Sequence, residues 1–356
     1  MIYSWQRRCW PEGKRMLNTV YRLVEPRRIE AEFCDIDVNG EEVLVRPTFL
    51  SICNADQRYF QGTRPPEVLK KKLPMALIHE AIGVVMYDPK GEFKPGQKVA
   101  MVPNTPFEED DIIAENYLRS SKFRASGFDG FMQDIVALRR DRAILLPEGI
   151  DDHVAAFTEL VSVSYHTIDR FDRKAHARRN VLGVWGDGNL AFITSLLLKK
   201  RFPESKVCIF GKHEYKMNDF VFADECYHIN EIPADLRIDH GFECVGKAGS
   251  GTSINQIIDY IHPEGCIAAM GVSEENVPIN TRMILEKGLT LFGSSRSSAE
   301  DFRNLLAFYR EHPEVVEYLS SIIGEIVEVR TIKDMVYAFD ADIQKRGGKT
   351  VMVWKK

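Results

Sequence analysis

Val181-Leu-Gly-Val-Trp185-Gly186-Asp187-Gly188-Asn189-Leu190-Ala191, running on as Phe-Ile-Thr-Ser-Leu-Leu-Leu-Lys-Lys200, is the stretch on which the fold turns. An apolar run that reads as a strand meets G-x-G-x-x-A, and an amphipathic helical segment follows. In that context the glycines allow a tight turn and a close backbone approach to a pyrophosphate, whose charge the helix N-terminus then holds. Gly186, Gly188, Asn189 and Leu190 are therefore predicted to bind a dinucleotide. A second strand, Lys206–Phe210, ends on Gly211-Lys212-His213-Glu214-Tyr215-Lys216. An NAD site carries an acid at this tip for the ribose 2′-hydroxyl, whereas this one offers Gly211 and then Lys212, His213 and Lys216, which suits a 2′-phosphate. NADPH is the expected cofactor. Glu214, one step late in the loop, keeps NAD open.

Working outward, apolar runs alternate with helical segments from Asn180 to Ser298 (DHGFECVG, SINQIIDYI, GCIAAMGV, LTLFGSS), which predicts a doubly wound parallel sheet. Before it, from Asn18 to about Pro147, short apolar runs broken by Gly and Pro predict a β-rich region. A polar stretch from Phe107 to Phe128 interrupts that region as a long excursion. The expected architecture is α/β: a β-rich catalytic domain over 16–165 and 299–356, and a Rossmann domain over 166–298. Residues 1–15 read as a disordered extension, because regular patterning begins only at Met16.

The 356 residues are 44% hydrophobic and 28% charged with net charge −5, so the basic footprint of a nucleic-acid or anionic-membrane binder is absent. Seven cysteines without a CxxC pair predict free thiols in a reducing, cytoplasmic setting. No apolar run approaches the ~20 residues of a membrane span, and the start lacks the apolar segment of a secretory signal.

The β-rich half holds Cys53 in SICNADQRYF, His79-Glu80 in LIHEAIG, and Glu159 in FTELVSVSYH. One thiolate, one imidazole and carboxylates suit a catalytic zinc, which keeps a position open for substrate. Singly each is weak, since a lone Cys is ordinarily a small buried hydrophobe and a lone His a satisfied core or surface residue.

In order along the chain, C-x-x-D, H-E followed by G-V-V, K-P-G-x-K-V at Lys94–Val99, G-F-M-Q-D at Gly130–Asp134 and the Rossmann glycines resemble the zinc-dependent medium-chain dehydrogenase/reductase family. The resemblance covers nearly everything from Met16 onward. It implies a GroES-like catalytic domain with Cys53, His79 and Glu159 as zinc ligands, and Glu80 as an additional ligand that exchanges with water. It also implies that Asp56 orients the zinc-bound His, and that Lys349 in GKTV contacts the cofactor pyrophosphate, unless it is a plain strand-edge lysine. Three departures matter. The excursion contains no Cys, so one catalytic zinc and no structural zinc is expected. The usual relay hydroxyl is Ala55, which makes Tyr59 the substitute relay. The Gly that often precedes His-Glu is Ile78.

Within the family, SICNADQRYF, KKLPMALIHE, MVPNTP, AENYLRSSKFRASGFDGFMQD, GVWGDGNL, FECVG and LFGSSRS resemble the branch that reduces D-ribulose 5-phosphate to D-ribitol 5-phosphate, upstream of CDP-ribitol for teichoic acid or capsule. That resemblance implies a sugar-phosphate substrate, a dimer or tetramer, and a cytidylyltransferase as a possible companion. Basic side chains around the cleft would read the phosphate: Arg58, Arg64, Lys122, Arg124 and, first in rank for its Gly-Ser-Ser-Arg-Ser setting, Arg296. Two rivals stand beside this reading, a zinc dehydrogenase of an unphosphorylated polyol and a non-catalytic nucleotide-binding protein.

Overall fold

A computed structural model of the chain describes residues 15–38 and 40–356. The expected extension therefore lies outside the described residues except for Arg15, which opens the first strand.

The β-rich part begins with β1 (Arg15–Glu25), β2 (Arg28–Asp37) and β3 (Val43–Ile52), followed by helices α1 (Asn54–Phe60) and α2 (Pro66–Lys72). It continues with β4 (Met75–Ala76), β5 (Glu80–Tyr87), β6 (Lys98–Met101), β7 (Asn104–Thr105), β8 (Lys122–Phe123), β9 (Val136–Leu138) and β10 (Ala143–Leu145). Helices α3 (Asp152–Ala155) and α4 (Thr158–Lys174) lead into β11 (Val181–Trp185), α5 (Asn189–Arg201), β12 (Lys206–Gly211), α6 (Glu214–Met217), β13 (Glu225–His228) and β14 (Ile238–Glu243). Then come α7 (Gly249–Tyr260), β15 (Ile261–Ala269), α8 (Thr281–Glu286), β16 (Thr290–Gly293), α9 (Ala299–Glu311), α10 (Pro313–Ser320), β17 (Ile323–Val329), α11 (Ile332–Gln344) and β18 (Lys349–Trp354).

Strands β11 to β16 form a six-stranded sheet in the order β13-β12-β11-β14-β15-β16, every pairing parallel. Its central strands β11, β12 and β14 are buried on both faces because both are covered. One face meets a core that includes Phe171 of α4, Phe192 of α5 and Phe302 of α9; the other meets Ile257 and Ile258 of α7.

Strands β1, β2 and β4 form a small sheet ordered β2-β1-β4, and a larger one runs β10-β6-β5-β3-β18-β17, with β9 on β3; Phe60, Phe131 and Phe339 belong to the second core. The C-terminal strand thus inserts beside β3, joining the end of the described chain to its early β-rich part. Two features depart from expectation. The boundary expected at residue 165 falls inside α4, an unbroken helix of 17 residues, so one rigid element joins the two parts. Helices α9 and α10, expected on the β-rich side, pack instead on α4 and α5 of the nucleotide side.

Candidate functional site

The register of three neighbouring strands builds the site. Ser51 of β3 pairs with Glu80 of β5, and Ile52 pairs with Thr350 of β18, so Cys53, His79, Glu80 and Lys349 cluster at one end of the sheet. The ligand atoms of Cys53, His79 and Glu80 lie within 4.8 Å of one another. One soft sulfur, one imidazole nitrogen and one carboxylate oxygen is a donor set that suits Zn²⁺, so the residues fit the metal.

A fully buried carboxylate holds two of these turns together. Asp56 Oδ2 accepts from the Cys53 N–H (3.2 Å), Asp56 Oδ1 accepts from the Ile78 N–H (2.9 Å), and the same Oδ1 stands 3.5 Å from His79 Nδ1. Burial disfavours a charged His79, but Asp56 and the Cys53 sulfur outweigh it and hold the imidazole well above its ordinary pKa. Ile78 occupies the left-handed region with φ +71°, which is costly for a β-branched residue. Its N–H is fixed by Asp56, and its carbonyl accepts from Phe131 N (2.7 Å).

Glu159, in the first turn of α4, is buried beside this group but outside the tight three-residue cluster. Burial pushes its carboxyl up to about 7, opposed by His79 and aided by Glu80. Lys349 is a correction. Its ammonium donates to Ile52 O (2.8 Å) and Glu80 Oε1 (2.9 Å) and lies 2.7 Å from Glu80 Oε2, with the side chain 3% exposed. Both hydrogen bonds and the ion pair are made inside the protein, so the ammonium is committed to Ile52 and Glu80 rather than presented to a pyrophosphate. Tyr59 is buried with its hydroxyl unpartnered, beneath the guanidinium of Arg64, whose Cζ lies 4.6 Å from the ring centroid. No hydrogen bond joins it to Cys53, His79 or Glu80.

On the nucleotide side, Gly186 has φ +133°, and a Cβ there would meet the Cys244 carbonyl at 3.1 Å. Gly188 caps α5, where a Cβ would meet open space. Asn189 Nδ2 donates to Gly348 O (2.9 Å), tying this turn to the start of β18, while Leu190 follows in the helix's first turn. A Cβ on Gly211 would strike Met217 Sδ at 2.7 Å, so that strand tip admits only glycine without repacking. Lys212 and His213 are exposed at the tip, with Lys216 half-buried in the next turn. Sequence reasoning missed Asp187. Its Oδ2 accepts from the backbone N–H groups of Lys212 and His213 (2.9 Å each) and stands 2.8 Å from His213 Nδ1, shaping the loop that carries the cations. The available signal was an acid inside the glycine turn.

The five basic candidates separate. Strand β8 sends alternate side chains to opposite faces. Phe123 faces the cluster, its ring centroid 5.3 Å from that of His79, and Arg296 Cζ lies 4.7 Å from the Phe123 centroid. Arg296 has φ +58° and makes no hydrogen bond or ion pair among the described residues, while Ser294 and Ser297 beside it are pinned to Thr167 and Ser162 of α4 (2.9 and 2.6 Å). Lys122 points the other way, its Nζ 4.9 Å from the Phe107 ring centroid and 5.1 Å from that of Phe128. Arg124 is a second correction: half-buried, it donates to Asp129 O (3.3 Å) and Ala137 O (2.8 Å) and so serves the backbone just beyond the excursion. Arg58 and Arg64 both reach Glu274 Oε1, which stands on the loop after β15.

Residues 39–148 match the GroES-like domain of alcohol dehydrogenases, and residues 219–311 match the zinc-binding dehydrogenase family. The ribulose-5-phosphate reductase of Bacillus spizizenii is 56% identical over 96% of this chain and the whole of that protein. The Streptococcus pneumoniae protein of the same name is 43% identical over 96% of this chain and 98% of its own length. The crystal structure of Staphylococcus aureus TarJ in complex with NADPH superposes with a TM-score of 0.87 at 48% identity, covering 96% of this chain and all of that one.

Proposed function

The chain belongs to the zinc-binding dehydrogenase family, and on that premise we propose that it reduces D-ribulose 5-phosphate to D-ribitol 5-phosphate with NADPH, supplying a precursor of CDP-ribitol. The observation that carries the reading is the Cys53, His79 and Glu80 donor cluster in a chain 56% identical to a ribulose-5-phosphate reductase over that protein's whole length, with the unpaired guanidinium of Arg296 one aromatic ring away to meet substrate oxygens. A cation desolvated without a partner is costly unless a ligand supplies the missing acceptors.

Zinc, held by Cys53, His79 and Glu80 with Glu159 adjacent, would act as a Lewis acid on the ketone oxygen. The chain's own groups do the rest. Asp56 fixes the orientation of His79, as carboxylates behind metal-ligating imidazoles do. Lys349 offsets the charge of Glu80. The Gly186–Leu190 turn seats the pyrophosphate, and Lys212, His213 and Lys216 face the 2′-phosphate. Tyr59, with a hydroxyl that no other group claims, is the candidate to return a proton to the product oxygen.

No described helix is long and apolar enough to cross a membrane. A cytoplasmic homodimer or homotetramer, working beside a cytidylyltransferase, is the setting that goes with this reading. The test is NADPH oxidation with ribulose 5-phosphate and ribulose side by side, with zinc measured per chain. A large preference for the phosphate ester and about one zinc are expected. Equal rates on the two sugars would replace the reading with that of a polyol dehydrogenase, and a metal-free, inactive chain would leave only nucleotide binding.

A further inference from the structure

Resting on the sugar-phosphate reading above, the geometry points to Arg58 and Arg64 as the subsite for the phosphate dianion, with Glu274 as a built-in stand-in that the phosphate displaces. The two guanidiniums come from different elements, Arg58 from α1 and Arg64 from the turn before α2, and both converge on the single oxygen Oε1 of Glu274. Their side chains are 22% and 19% exposed, against 35% for Glu274. Two cations thus share one carboxylate, and Lys72 adds a third positive charge near the same Tyr59 ring. One polar group of the pair itself remains without a partner although buried, the Nε of Arg64. A phosphomonoester carries about −1.5 to −2 at neutral pH and three acceptor oxygens, which matches two guanidiniums better than one carboxylate does.

Charge also decides between this packet and Arg296. Around Arg296 the field already contains the carboxylate of Glu159, which acts directly on it, and Glu80 and Cys53 lie beyond Phe123. A dianion placed there would face like charges. Arg296 is left for hydroxyl oxygens near the reacting carbon, which revises the order expected from sequence.

The spacing agrees with the substrate. Arg58 lies five residues beyond Cys53 along α1, about 7.5 Å of helix rise. The carbonyl carbon and the phosphorus of a pentulose 5-phosphate are five bonds of roughly 1.5 Å apart, a zigzag spanning about 6 Å. A ketone at the metal cluster therefore carries its phosphate toward the arginine pair.

The test uses the full chain as wild type, Arg64→Gln and Glu274→Gln, with three readouts: KM and kcat for ribulose 5-phosphate, the Kd of NADPH, and stabilisation against heat by inorganic phosphate. The assignment expects opposite signs. Arg64→Gln raises KM at least tenfold and abolishes the phosphate stabilisation, whereas Glu274→Gln, having lost the competitor, lowers KM several-fold and enlarges the stabilisation. NADPH binding stays within twofold in both.

Changes of KM in the same direction in both variants would make the Arg–Glu contacts a clasp between the two parts of the molecule and overturn the assignment. A shift in NADPH Kd without one in KM would give the anion to the cofactor and also overturn it. An unchanged KM in both variants would do the same. If the wild type fails to distinguish ribulose 5-phosphate from ribulose, the functional reading falls by itself. The inorganic phosphate arm then decides the subsite separately: stabilisation lost in Arg64→Gln upholds an anion site, and no stabilisation in the wild type overturns it.

Discussion

Replacing Lys349 by Met tests the electrostatics at the centre of the site. The ammonium lies 2.9 and 2.7 Å from the two oxygens of Glu80, with the side chains 3% and 0% exposed. At an effective dielectric of ~20 the attraction at that separation is about 6 kcal/mol, partly offset by the cost of desolvating both ions. Removing one partner strands the other as a buried, uncompensated carboxylate, which typically costs roughly 3–5 kcal/mol. Chelator-treated Lys349→Met should therefore lose about that much unfolding free energy in urea, followed by tryptophan fluorescence, Trp354 lying on the same strand. In saturating zinc the loss should shrink, since a divalent cation at Cys53, His79 and Glu80 supplies the missing counter-charge and binds more tightly by linkage. The double variant Glu80→Gln, Lys349→Met should recover much of the metal-free loss. Equal losses with and without zinc would refute the idea that the Glu80 carboxylate belongs to the metal set. A loss under ~1 kcal/mol in both conditions would refute the burial argument itself.

Three further outcomes are expected. Cys53→Ala should bring bound zinc well below one per chain and abolish reduction while NADPH titration stays near wild type; full activity of metal-free protein would contradict this. Lys212→Ala should weaken NADPH about tenfold, the ~1.5 kcal/mol of one charge-assisted contact, and leave NADH nearly unchanged; equal wild-type affinity for the two cofactors would count against it. The third concerns His240, buried as the neutral ring, its Nε2–H donating to Arg178 O (3.0 Å) while Nδ1 accepts from Cys266 N (3.1 Å), and burial lowers its pKa to about 4. The unfolded chain takes up that proton from pH 6.5 downward and the folded chain only near 4, so stability is lost as pH falls through this window, by roughly 3 kcal/mol in all. Urea melts at pH 7 and 4.5 should show a smaller difference for His240→Gln; an identical difference would refute the assignment.

The nucleotide half was legible because its signals are local: a strand, a glycine turn and a helix adjoin in sequence, and the turn's geometry follows from Gly186 alone. The order Cys53, His79, Glu80 was legible as a donor set, but its partners were not. Lys349 meets Glu80 across 269 residues because β18 enters the sheet beside β3, a topological fact that periodicity cannot carry. Lys122 and Arg124 were misplaced for a simpler reason. In Lys-Phe-Arg on a strand only one face can look inward, and the aromatic took it. Glu274 was invisible because an exposed loop acid has no sequence signature until two arginines point at it. Ile78 shows the reverse. The substitution of Gly was visible in the sequence, yet the chain keeps the left-handed turn and bears the strain, because Asp56 and Phe131 hold that peptide from both sides.

The insertion of β18 between β3 and β17 also fixes an order of assembly. As the chain emerges during synthesis, β3 has β5 on one side, while on the other β9 covers only Val43–Val45 and Phe49–Ile52 stay open until residues 349–354 arrive. The nucleotide domain, complete once α9 and α10 have packed on α4 and α5, is free to fold before then, since domains form as units while the chain is made. The β-rich sheet closes last, and only then does Lys349 reach Glu80. A truncation of the final eight residues, or a bulky fusion crowding them, should therefore spare the cofactor domain while leaving the first sheet with a bare edge and the ligand carboxylate without its cation.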